Sequence, residues 1–148
     1  MTPKGRSIRT LRSPMLNRMK KYMDEFMGEK NSFIELIVKR IVAGTRPEKI
    51  LLFGSYVRGV PTEDSDLDIL VIADIPAQKE KASKFMERLE RRIKVLQLIR
   101  DINYQAPIDL IVYTPEEFKR VKRLNTSFIK EILKNGRVLY ERKNQRVG

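Results

Sequence analysis

The sequence predicts an α/β domain: a small mixed sheet, with strands at about 50–53, 67–73 and 108–113, packed with helices. Three observations carry this. The apolar period changes from helical spacing to short continuous runs after Pro47. The elements follow the order helix, helix, strand, strand, helix, strand, helices, which is that of one α/β layer structure. The connections also differ in length: residues 54–65 suit antiparallel neighbours, whereas a long helix between the second and third strands suits a parallel crossover. A chain of 148 residues with 41% hydrophobic residues can bury one modest core.

Residues 1–12 read as a basic arm with no hydrophobic period. Ser13-Pro14 suits an N-cap and first helical position, and Met15, Leu16, Met19, Tyr22, Met23, Phe26 and Met27 follow at helical spacing up to Gly28. Four methionines with two aromatics form an adaptable surface, suited either to an interface, including self-association, or to covering the domain's own core. A second helix is expected from Ser32, with Glu35 completing a capping box and Gly44 at its C-cap. Ile50-Leu51-Leu52-Phe53 reads as a strand buried on both faces. Strands over Leu67–Ala73 and Ile108–Tyr113 bracket a helix from about 77 to 103. Its expected core stripe is Ala82, Phe85, Met86, Leu89, Ile93 and Leu96. Thr114-Pro115-Glu116-Glu117 is another capping box; a short helix over 127–134 ends at Gly136, and Arg137–Tyr140 suits an edge strand.

Charge and composition narrow the chemistry. The net charge of +12 lies at the ends. Residues 1–31 hold eight basic against three acidic side chains, and residues 119–148 ten against two. Such ends suit a nucleic acid or an acidic partner, or are simply solvated helix faces. With no Cys and no His, disulfides, thiolate nucleophiles, imidazole bases and nearly all zinc hydrolases are excluded. No apolar run approaches a membrane span, and none follows the basic N-terminus as a signal peptide would, so the expectation is a soluble, cytoplasmic protein without membrane partners.

The unusual residues collect where strand one ends and strands two and three begin. Gly54-Ser55 closes the first strand, Asp66-Leu67-Asp68 opens the second, and Asp109 opens the third. Alternation puts Asp66 and Asp68 on one face, with Asp109 arriving from a neighbour. Carboxylates so placed repel unless a cation joins them, and an oxygen-only set favours magnesium or manganese over zinc. Gly54 lets backbone approach an anion, a helix turn starting near Ser55 aims N–H groups at it, and Arg58 adds a cation. Phosphate binders beside metal-binding carboxylates imply a nucleoside triphosphate across the strand ends. Taken singly, each piece has a duller role as turn, cap or surface charge.

Gly54-Ser55-Tyr56-Val57-Arg58-Gly59 followed by Ser65-Asp66-Leu67-Asp68-Ile69-Leu70-Val71 resembles the signature of the DNA polymerase β-type nucleotidyltransferases. Within that superfamily the chain is similar to the minimal nucleotidyltransferase (MNT) proteins. The resemblance implies a polymerase β palm-like nucleotidyltransferase fold over residues 32–140, with 1–31 as basic arm and extra helix and 141–148 as basic tail. It implies that Gly54 and Ser55 hold the triphosphate, with Arg58 nearby. It assigns Asp66 and Asp68 to both metal ions, and Asp109 to the catalytic ion and the acceptor proton. The implied activity is metal-dependent transfer of AMP from ATP to a hydroxyl. The acceptor suggested by the resemblance is a tyrosine of a HEPN-domain toxin. The alternatives are a nucleic-acid acceptor held by the basic ends, or a non-catalytic antitoxin that acts by binding.

Overall fold

The computed structural model describes residues 14–59, 61, 65–76 and 83–143. The basic arm, Ser13, the residues 77–82 expected to open the long helix, and the end of the C-terminal tail lie outside the described residues. The chain clusters into two compact units, Met1–Glu35 and Leu36–Gly148.

The first helix, α1, runs without a break over Pro14–Thr45, where the sequence suggests two helices. Gly28 costs a helix only about 1 kcal/mol relative to Ala, too little to end it. Ser32 does not cap; its hydroxyl donates 3.1 Å to the Gly28 carbonyl one turn back. Of the expected methionine stripe, the side chains of Leu16, Met19, Tyr22, Met23 and Phe26 lie outside the described residues, and Met15 is exposed. In the second unit Ile37 and Ile41 are fully buried. Gly44 is not the left-handed cap either, for Arg46 takes that conformation with φ 48°. Gly44 instead gives room to Leu98: a Cβ there would sit 2.5 Å from the Leu98 side chain.

The sheet comprises β1 (Lys49–Phe53), β2 (Leu67–Ile72), β3 (Ile108–Tyr113) and β4 (Arg137–Glu141), in the order β3-β2-β1-β4. β1 pairs antiparallel with β2, and β2 pairs parallel with β3, as the connection lengths predict; β1 also pairs antiparallel with β4. Between them lie α2 (Ser55–Arg58), α3 (Lys84–Leu98) and α4 (Arg100–Gln105); α5 (Pro115–Leu124) and α6 (Ser127–Asn135) follow β3.

Alternation divides the core in two. Leu51, Phe53, Leu70 and Ile72 project to one face, where they meet Phe118 of α5 and Ile132 of α6. Ile50, Leu52, Leu67, Ile69 and Val71 project to the other and are buried there. Every residue of Ile50–Phe53 is buried, as a strand covered on both faces requires.

α3 departs most from expectation. Its apolar stripe faces outward: Phe85 is 69% exposed, Met86 50%, Ile93 45% and Leu89 37%. The opposite side is buried, through Arg91 and Val95. A buried guanidinium is tolerated because Glu117 meets it; Arg91 Nη2 donates to Glu117 Oε1. The same carboxylate accepts from the Thr114 N–H in the expected capping box and lies 3.8 Å from Arg88 Nε. One glutamate therefore ties α3 to the start of α5.

Removing one partner of a buried ion pair leaves the other charge uncompensated. Glu117→Ala is expected to lower unfolding free energy by about 3 kcal/mol in urea denaturation. Adding Arg91→Met should restore much of that loss; an unchanged midpoint for Glu117→Ala would refute the tie.

Candidate functional site

The strand register fixes the site. Phe53 of β1 stands opposite Asp68 of β2, and Asp68 stands level with Asp109 of β3. The three form one row across three strands, so Asp68 and Asp109 share a face. Neighbouring strands lie about 4.8 Å apart, which brings the two carboxylates into each other's field. Asp66 sits one extended residue ahead of β2, on the side of Asp68 by alternation.

Electrostatics register this crowding. Partial burial raises the Asp68 carboxyl above its ordinary value, and the charges of Asp109 and Asp66 raise it further, with Arg58 opposing. Asp66 and Asp109 are exposed and Asp68 is half-buried, so the row opens to solvent. The donor set is hard oxygen, negative and self-repelling, which fits magnesium or manganese rather than a soft-ligand metal. As they stand, the described Asp and Glu residues form no ready cluster of three around an ion.

Gly54 follows Phe53 and turns the chain into α2 with φ 79° and ψ −151°, a region that is nearly glycine-only. Space demands glycine as well: a Cβ would lie 2.0 Å from Asp68 Oδ2. The glycine thus brings the α2 backbone against the carboxylate. Val57 and Arg58 N–H groups donate 3.1 Å back to the Gly54 carbonyl, which leaves those of Ser55 and Tyr56 outside the turn's ladder. Ser55 is half-buried at that turn and Arg58 is exposed beyond it.

Tyr56 is a contributor that the sequence reading did not single out. It is buried on α2, and its hydroxyl donates 3.3 Å to the Ser65 carbonyl, immediately before Asp66. Burial first and the Asp66 charge second raise its phenol above the usual value. The signal available in sequence was an aromatic in the first turn after Gly-Ser. All six residues picked out in sequence, Gly54, Ser55, Arg58, Asp66, Asp68 and Asp109, lie at this one end of the sheet.

Residues 34–140 match the model of a nucleotidyltransferase domain. A Methanocaldococcus jannaschii protein provisionally named a protein adenylyltransferase is 39% identical over 95 residues, covering 64% of this chain and 80% of the relative. A crystal structure titled as a nucleotidyltransferase of Sulfolobus solfataricus, provisional in its naming, overlaps 80% of this chain and 88% of its own, with 22% identity and TM-score 0.49. A toxin–antitoxin structure with AMP-PNP overlaps 74% of each chain, with 20% identity and TM-score 0.45. These two overlaps are a loose likeness of fold.

Two outcomes test the geometry. A carboxyl raised by the fold opposes folding once ionised, a cost absent below the ordinary carboxylate range and complete above the raised value. Asp68→Asn should therefore melt no lower than the parent in metal-free neutral buffer, and any gain should vanish as pH falls below the carboxylate range. A loss of stability at neutral pH would contradict the crowding. Gly54→Ala, forced into a glycine-only conformation, should cost about 1–3 kcal/mol in urea unfolding.

Proposed function

The chain belongs to the nucleotidyltransferase domain family, and from that premise we propose that it transfers AMP from ATP onto a hydroxyl of a partner protein. The row Phe53–Asp68–Asp109, with Gly54 pressed against Asp68, is the observation that best supports this reading. With Asp66 beside it, the row sets three aspartates next to a glycine turn at one sheet end, an arrangement that nucleotidyl transfer needs and a structural turn does not.

In this reading Gly54 and the N–H groups at the start of α2 receive the terminal phosphates, and the Ser55 hydroxyl donates to them. Arg58 adds positive charge beyond the turn. Asp66, Asp68 and Asp109 would hold magnesium or manganese, Asp66 and Asp68 contributing to both ions and Asp109 to one. Bound there, the metal supplies charge neutralisation of the phosphates and a lowered pKa at the attacking hydroxyl. Asp109, the most open of the row at the sheet's edge, receives the acceptor proton. The acceptor oxygen forms its bond to the α-phosphorus, the bond from that phosphorus to the bridging oxygen breaks, and pyrophosphate leaves with the electron pair. Tyr56 holds Ser65 and so steadies the approach to Asp66.

A protein acceptor is supported by the naming of the relatives as provisional protein adenylyltransferases. By resemblance to the MNT proteins, a tyrosine of a HEPN-type toxin is the leading acceptor, and the chain would then act as its antitoxin. Exposed basic side chains favour a second reading, a nucleic-acid acceptor. Lys119, Lys122, Arg123, Lys130, Lys134 and Arg137 are all exposed on α5, α6 and β4.

Metal and triphosphate should bind in mutual dependence, since each relieves the repulsion the other meets. ATP with magnesium, at a hundredfold excess over Kd, should stabilise the fold by about 2.7 kcal/mol and raise Tm by roughly 5–10 °C. ATP or magnesium alone should do little, and Asp66→Ala should lose most of the shift. An equal shift from ATP without metal would leave only a generic polyphosphate binder. Labelled AMP appearing on an oligonucleotide and never on protein would select the second reading.

A further inference from the structure

We propose that the open edge of β3 is the acceptor-docking strip, and that its occupant is an extended polypeptide segment with alternating apolar and acidic side chains. The inference rests on the reading of Asp109 as the residue that meets the acceptor hydroxyl. A groove of about 460 Å3 runs along this edge, from Asp109 at one end to Tyr113 at the other. Phe85 and Leu89 of α3 form its wall, with Arg88 and Arg92 beside them.

Backbone geometry says what shape fits. β3 lies at the end of the sheet order, so one side of it pairs with no strand among the described residues. Leu67 N–H donates 2.9 Å to the Pro107 carbonyl and Ala73 N–H donates 2.9 Å to that of Tyr113, which turns the odd-numbered groups toward β2. The even-numbered groups face the open edge. Two are met by the chain's own side chains: Ile108 N–H donates 2.8 Å to Asn103 Oδ1, and the Leu110 carbonyl accepts from Arg92 Nε at 3.1 Å. The Ile108 carbonyl, Leu110 N–H and both Val112 groups remain, with no partner among the described residues. An extended segment satisfies such a row by adding a strand.

Side chains say what composition fits. The outward stripe of α3 offers Phe85 and Leu89 to every second residue of an added strand. Arg88 and Arg92 favour acidic neighbours over basic ones, and the net charge of +12 draws an acidic partner toward the protein. The strip is walled by carbon, unlike the exposed lysines and arginines of α5 and α6, and so suits a polypeptide better than a polyanionic strand. A segment in register along Leu110 and Val112 would carry a hydroxyl on its next residues to Asp109.

The test uses the full chain, labelled ATP, magnesium, and an array of random heptapeptides each with one fixed tyrosine. Labelled peptides should alternate apolar and acidic residues on one side of the tyrosine. Phe85→Glu and Leu89→Glu, both at exposed helix positions, should cut labelling about tenfold, the loss expected of a contact hot spot. Both should keep the melting-temperature rise with ATP and magnesium. Methylating alternate backbone nitrogens of the best peptide should abolish its labelling. Labelling that is indifferent to both substitutions overturns the strip. So does a failure to label any peptide while the ATP–magnesium shift persists, or a parent dimer that the substitutions convert to monomer, since a second copy would then be the occupant. Loss of the ATP–magnesium shift in the parent protein would instead overturn the transfer reading itself.

Discussion

Like charges held side by side constrain the rest of this structure. Parallel pairing of β2 with β3 sets Asp68 level with Asp109, and the extended residue before β2 brings Asp66 to the same side. The fold bears the repulsion at an end of the sheet open to solvent, where screening is strong. It also places cationic and backbone donor groups opposite, through Arg58 and the turn at Gly54. Everything near the row is arranged for close approach. A Cβ on Gly54 would meet the Asp68 carboxylate, and Tyr56 holds the chain just ahead of Asp66. The crowding shows in the Asp68 carboxyl, raised by burial and then by the charges of Asp109 and Asp66.

The far end of β3 shows the opposite solution to the problem of charge. There Arg91 is buried, and its charge is matched within the fold by Glu117, which also caps α5. The pair serves connection, since it joins α3 to the turn after β3. It also sets which way α3 faces. Once Arg91 is directed inward to Glu117, the apolar stripe a half-turn away must face solvent and the edge of β3. The outward stripe of α3 thus goes together with an internal ion pair.

Sequence reasoning captured the strands, the pairing directions of the first three and the gathering of the six chosen residues at one sheet end, because each depends on local information. Continuous apolar runs identified β1 and β2, connection lengths gave the antiparallel and parallel pairings, and alternation placed Asp66 with Asp68. The capping box at Thr114 was also legible, since its two hydrogen bonds span only three residues. The misplaced helix ends share a cause. Gly28, Ser32 and Gly44 have the residue types of helix ends, yet α1 runs through all three, because a local preference of about 1 kcal/mol yields to the continuing helix.

By itself, the sequence determined the chemistry available here: oxygen donors without His or Cys, a glycine turn, and three aspartates at strand openings. Those follow from residue type and a two-residue period, which no distant contact can alter. Tertiary structure alone decided the level at which Asp109 meets Asp68, the close passage of Gly44 by Leu98, and the outward turn of Phe85 and Leu89. Each depends on a partner far along the chain. Periodicity can show that a helix has an apolar side, but which side is buried is fixed by what lies opposite. For α3 that was a glutamate 26 residues past Arg91.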